Sequence, residues 1–118
     1  MKYMLLVYLD ENGLSEQERE ECYVDSAKYA RDLSESGKYL DAAPLHPTPT
    51  ATSVRVREGK FHITDGPFAE TKEQLGGYYL VDAVDLEDAV EIASKVPIAK
   101  FGTIEVRPVM EIAGLPEA

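Results

Sequence analysis

Cysteine is nearly missing from this chain: Cys22 stands alone. One thiol excludes an internal disulfide framework and a thiolate metal cluster built from a single chain. Histidine is scarce too, with only His46 and His62. Two imidazoles without a clear third ligand do not make a metal site, so neither metal nor cofactor is expected. Basic residues are outnumbered, 12 Lys and Arg against 22 Asp and Glu, for a net charge of −10. Such a surface repels a phosphate backbone and disfavours anionic membranes, so nucleic-acid and membrane partners are excluded. The apolar run near Tyr3–Leu9 is far shorter than the ~20 residues a membrane span needs. A lone Lys2 precedes that run and no small-residue cleavage site follows it, so a cytoplasmic setting is expected. No glycine-rich phosphate loop joins a strand to a helix, and no Ser or Cys nucleophile lies beside a His in a recognisable local pattern.

What is present suits one globular domain, 1–118, with 44% hydrophobic and 29% charged residues. Residues Lys2–Tyr8 are apolar on both alternating sets, which predicts a strand covered on both faces. Ser15 to Glu18 has the form of a capping box, and Tyr23, Ala27, Ala30 and Leu33 then recur at helical spacing up to a Gly37 cap. Cys22 lies one position off that stripe and reads as a small, partly buried side chain. Lys38–Leu45 reads as a strand, and prolines keep the following 46–50 segment extended. Ser53–Arg57 and Lys60–Thr64 alternate around a Glu58-Gly59 turn, with Val54, Val56, Phe61 and Ile63 inward. A strand over 76–82 follows, then a helix capped by Asp85 with a Leu86, Ala89, Val90, Ala93 stripe, then a last strand over 103–110 and a loose 113–118 tail.

This order predicts an α+β fold of the ferredoxin-like, split βαβ plan. Its antiparallel sheet carries an extra hairpin strand and has both helices on one face. The other face is apolar, and the sheet of a second copy is the economical cover, which makes a dimeric α+β barrel.

The densest chemistry runs from Thr64 to Tyr79. Asp65-Gly66-Pro67 is strong turn chemistry, polar residues fill 70–74, and Gly76-Gly77 lets backbone approach a ligand or partner chain. The run Asp65-Gly66-Pro67-Phe68-Ala69-Glu70-Thr71-Lys72-Glu73 resembles the signature of the YCII-related family, in the branch named for its DGPF motif. Residues 52–57, 85–89 and 105–108 are similar to that branch as well. The resemblance implies ferredoxin-like proteins that pair into dimeric barrels. It also implies, by association, a regulatory tie to an extracytoplasmic-function sigma factor. A better-described branch carries a His on the first helix and an Asp near the end of the second, facing a shared cleft; the matching positions here are Ser26 and Val96. Proton transfer by that pair does not carry over.

The candidate site residues follow from side-chain chemistry. Asp65 forms the turn or acts as a general base, with Glu70 as the other candidate acid/base. Lys72, with Arg55 or Arg57, pairs with neighbouring carboxylates or holds a ligand carboxylate or phosphate. Thr71 with Gln74 offers neutral hydrogen bonds. Phe68 is a plug or a stacking platform, and Tyr79 with Tyr78 is core with a hydroxyl within reach of the cleft. His46 sits on the stiff segment that lines it. Three functions fit: a homodimer binding a small, anionic molecule in a cleft; a cofactor-independent enzyme in that cleft; and a regulatory interaction module. The first two rank together, ahead of the third.

Overall fold

The computed structural model describes residues 1–116. Its six strands and two helices run β1 (Lys2–Leu9), α1 (Glu16–Glu35), β2 (Tyr39–Pro44), β3 (Thr52–Arg57), β4 (Lys60–Asp65), β5 (Gln74–Asp82), α2 (Leu86–Ser94) and β6 (Thr103–Pro108). Strands β2-β5-β1-β6 form one antiparallel sheet in that order, and β3 pairs only with β4. This is the expected ferredoxin-like α+β sheet, except that the hairpin adds no strand to it and forms a two-stranded sheet of its own.

The alternation of β1 divides its faces. Tyr3, Leu5 and Val7 are buried, with Val81 and Tyr79 of β5 opposite the first two. Both helices cover this side. Tyr29 of α1 meets Tyr79 edge-on, ring centroids 6.0 Å apart, and its hydroxyl donates to the Ile92 carbonyl of α2 at 2.7 Å. The other face of the sheet carries Met4, Leu6, Tyr8, Tyr78 and Leu80, with no layer of the described chain over it.

Helix α1 begins where its capping box says. The Glu18 amide donates to Ser15 Oγ at 3.1 Å, and the Ser15 amide donates to Glu18 Oε1 at 2.9 Å. Two helix amides are thus satisfied by two side chains. Gly37 follows the helix at φ +77°, a conformation that costs glycine nothing.

Several expectations are corrected. Of the expected α1 stripe, Leu33 is buried and Ala30 half-buried against the core, but Tyr23 and Ala27 are exposed, and Cys22 and the half-buried Tyr29 take their place. In α2 the buried set is Ala89, Ile92 and Ala93, with Leu86 and Val90 exposed. A helix resting on a twisted sheet buries the arc that the sheet reaches, so each helix keeps part of its expected stripe (Ala30 and Leu33 in α1, Ala89 and Ala93 in α2) and exposes the rest. Residues Thr48–Thr50 form a 3₁₀ turn, closed by the Thr50 amide on the Pro47 carbonyl at 3.0 Å, so only the start of the 46–50 segment is extended. Proline's fixed φ is compatible with the first turn of a helix, which is why two prolines did not prevent it. The side chains of Val54, Val56, Phe61 and Ile63 do not point into a core; all four are exposed, because the hairpin stands off the sheet. Beyond Pro108 the described tail forms no helix or strand, and residues 117 and 118 lie outside the described residues.

Candidate functional site

The main cavity, about 690 Å³, lies between α1 and strands β1, β2 and β5. Its walls explain it. Helix α1 contributes Ser26, Ala27 and Ala30, and the sheet contributes Ala42, Ala43, Gly76 and Gly77. Small side chains on both walls leave a gap that larger ones would fill. Gly77 is needed for a second reason. A Cβ there would stand 2.8 Å from the Ala43 carbonyl oxygen, so glycine lets β2 lie against β5.

The polar groups gather toward the 11–19 and 46–48 segments, where Glu11, Arg19 and His46 join the lining. Glu11 is the bolt. Its carboxylate accepts the Thr48 amide at 2.9 Å and the Thr48 hydroxyl at 2.7 Å. Its own amide donates to Gln74 Oε1 at 3.0 Å, and Gln74 Nε2 donates to the Thr71 carbonyl at 2.6 Å. Arg19 Nη2 donates to the Glu11 carbonyl at 2.7 Å. This bond engages one of five guanidinium donors. A continuous chain of bonds therefore joins the signature segment to the rim of the cavity.

Deeper in, Tyr79 Oη donates to the Ser26 carbonyl at 3.3 Å, and burial pushes its pKa up, so the phenol stays neutral. Burial, and then the nearby Asp25 carboxylate, push the Cys22 thiol up as well. Cys22 thus stays a protonated wall residue, not a thiolate nucleophile. Ser26 and Val96 both line the cavity.

The proposed site residues divide among three places. His46 and Tyr79 line the main cavity. Arg55 and Phe68 meet in a separate shallow depression on the hairpin, with the guanidinium 4.9 Å above the ring centroid. His62 lies there too, opposite Arg55 in the ladder, so the two histidines line different depressions. Asp65, Glu70, Thr71 and Lys72 are exposed on the signature segment and line neither depression. Thr71 turns its hydroxyl onto the Glu73 carbonyl, and Glu73 accepts the Thr103 hydroxyl at 2.7 Å.

Sequence reasoning missed Glu11, Arg19 and Tyr29. Arg19 did leave a signal, as the single cation between Glu16 and Asp25. Tyr29 left one too: positions 22, 26, 29 and 33 keep helical spacing, hidden by the small Cys22 and Ser26. Glu11 left none, because its partners lie 37 and 63 residues away.

Comparisons with known proteins agree with this architecture. A curated relative, an uncharacterised protein from Rhizobium meliloti (strain 1021), is 40% identical over 113 residues, covering 92% of this chain and 91% of its own. Among solved structures, 5-chloro-2-hydroxyhydroquinone dehydrochlorinase from Burkholderia phenoliruptrix AC1100, in complex with 2,5-dihydroxybenzoquinone, superimposes with a TM-score of 0.58. That match covers 93% of this chain and 94% of the other at 14% identity, a likeness of fold alone. The YCII-related domain matches residues 1–113, and the chain belongs to the YCII-related family.

Proposed function

We propose that this protein binds a small, largely apolar molecule bearing one anionic group in the cavity between α1 and the sheet, as a homodimer formed through the open sheet face. The observation that carries the reading is the cavity itself: about 690 Å³, walled mainly by apolar side chains, with Arg19 and His46 at its polar end. Ligand sites have this size and this make-up, apolar walls with a few placed polar groups. Arg19 suits a carboxylate or an ionised ring hydroxyl through its planar set of donors. The dehydrochlorinase of the same fold holds 2,5-dihydroxybenzoquinone, a planar molecule of the size this cavity accepts.

An enzyme in the same place has to work without the His and Asp of the better-described branch, since Ser26 and Val96 carry no titratable group. Among the lining residues His46 is the imidazole, the side-chain type most used for general acid/base work. Asp65 or Glu70 acts as base only if a movement brings the signature segment to the ligand. The exposure of residues 67–72 supports the regulatory reading instead, with that segment offered to a partner protein such as a sigma factor.

The test is thermal unfolding with benzoate, salicylate and 2,5-dihydroxybenzoquinone, for the wild type and for Ala30→Phe, which fills the cavity. A ligand at a hundredfold excess over Kd stabilises the folded state by about 2.7 kcal/mol. The expected result is a raised midpoint in the wild type that Ala30→Phe abolishes. Equal shifts in both proteins, or none in the wild type, count against the cavity.

A further inference from the structure

The β3–β4 hairpin takes no part in the cavity, and its construction asks for a partner. Val54, Val56, Phe61 and Ile63 share one face and are between 53% and 77% exposed. At the ordinary areas of these side chains, they leave roughly 450 Å² of apolar surface in water, in the range where a patch on a monomer is often functional. A two-stranded hairpin is marginal in water on its own, and this one pairs with no other strand. It also stretches the molecule: the radius of gyration is 16.0 Å, against about 13.5 Å for a compact chain of this length.

We propose that the hairpin is an arm that buries its apolar face on a second copy of this chain. The inference rests on the homodimer read above and adds to it a contact that the open sheet face alone does not supply. Area identifies the occupant. Two arms related by a twofold axis, each covering an equal patch of the other copy, bury about 1,800 Å², the standard size of a stable interface. Charge points the same way. Residues 52–65 carry Arg55, Arg57 and Lys60 against Glu58 and Asp65, whereas the whole chain carries −10. None of those three cations pairs with a carboxylate among the described residues. A slightly positive arm reaching over a strongly negative body is attracted to it, while the two bodies by themselves repel.

The experiment is sedimentation velocity over a dilution series, for the wild type, Phe61→Asp, Val56→Asp and a control, Val84→Asp, at an exposed position away from the arm. Phe61 and Val56 are exposed in the single chain, so both variants keep the fold, which circular dichroism and the melting midpoint verify. A dimeric wild type is expected, with dimer Kd raised at least ~30-fold by Phe61→Asp, measurably by Val56→Asp, and unchanged by Val84→Asp. A dimer that Phe61→Asp and Val56→Asp leave at the wild-type Kd overturns the arm and leaves the sheet-face dimer standing. A monomeric wild type overturns both, while binding in the cavity is judged separately by its ligand shift.

Discussion

Gly76 and Gly77 are adjacent and both line the cavity, yet alanine at each should have opposite consequences. At Gly77 the new Cβ meets the Ala43 carbonyl oxygen at 2.8 Å and the Pro44 Cα at 3.2 Å, both backbone atoms of β2. Neither can rotate away. Strands β2 and β5 must part by about half an ångström, and overpacking of this kind costs about 1–3 kcal/mol. Restricting the unfolded chain returns about 0.4–1 kcal/mol of that, which leaves a net loss of about 1–2 kcal/mol. At Gly76 the nearest atom is closer still, Leu9 Cδ2 at 2.4 Å, but it is the tip of a flexible side chain beside the cavity. Leu9 can turn into that space, and the next atom, the Val7 carbonyl oxygen, is 3.8 Å away. The entropic gain then offsets the rotamer cost, and Gly76→Ala should fall within about 0.5 kcal/mol of the wild type. Urea unfolding reads the difference directly. With a slope of about 1–2 kcal/mol/M, Gly77→Ala should lower the midpoint by about 1 M and leave the slope unchanged. If Gly77→Ala matches the wild type, or Gly76→Ala is the more damaging of the two, the close backbone approach is not what glycine serves here.

Three further outcomes follow from the hydrogen bonds and titrations. Glu11→Gln keeps the size of the bolt but sets an amide against two donors from Thr48; a loss of about 1–2 kcal/mol is expected, with faster proteolysis in the 46–50 segment as the specific sign. On the acid side, Glu18 is held below its ordinary 4.5 by the Ser15 amide and hydroxyl, and Asp88 below 3.8 by the Val84 amide and Lys38. Depressed folded pKa values give stability that is present above those ordinary values and lost as pH falls through the folded ones. Loss of the hydroxyl cap in Ser15→Ala should cost about 1 kcal/mol at neutral pH, and because the residue-15 amide still holds Glu18, the gap to the wild type should narrow only slightly in urea melts taken below pH 4. On the alkaline side, burial pushes Tyr29 up to about 12 from 10.0. A raised folded pKa gives stability that is full below pH 10 and lost between pH 10 and about 12. Tyr29→Phe should flatten that alkaline loss, at the cost of the bond to Ile92 near neutrality.

The order of elements was legible because local signals agreed with the fold. Ser15 and Glu18 form the capping box their spacing announced, and Asp85 accepts the Asp88 amide at 2.9 Å. Of the two covers expected for β1, the described chain supplies one, from both helices. The hairpin shows where that legibility stops. Alternation in β3 and β4 states that one face is apolar, but it does not state which chain covers that face. The cavity was hidden for a different reason. Ser26, Ala27, Ala30, Ala42, Ala43, Gly76 and Gly77 are unremarkable one by one, and only the fold brings them face to face.

The signature segment joins these two cases. Read alone, Thr64–Tyr79 looks like a single site, but the structure gives its ends separate work. Asp65 to Lys72 is exposed at the root of the arm, with Phe68 beneath Arg55. Gln74 to Gly77 is built into the sheet, where Gln74 holds the Glu11 turn and Gly77 admits β2. Because Gln74 also bonds the Thr71 carbonyl, the two ends are not independent. The same bonds run on from Gln74 to Glu11, and through Glu11 to Thr48 and the polar rim of the cavity. Were a ligand in the cavity and a partner on the signature to be coupled through these bonds, reciprocity would require each to change the other's affinity by the same factor. Gln74→Ala cuts the link without touching either surface, so it should leave ligand and partner binding separately intact while removing any effect of one on the other.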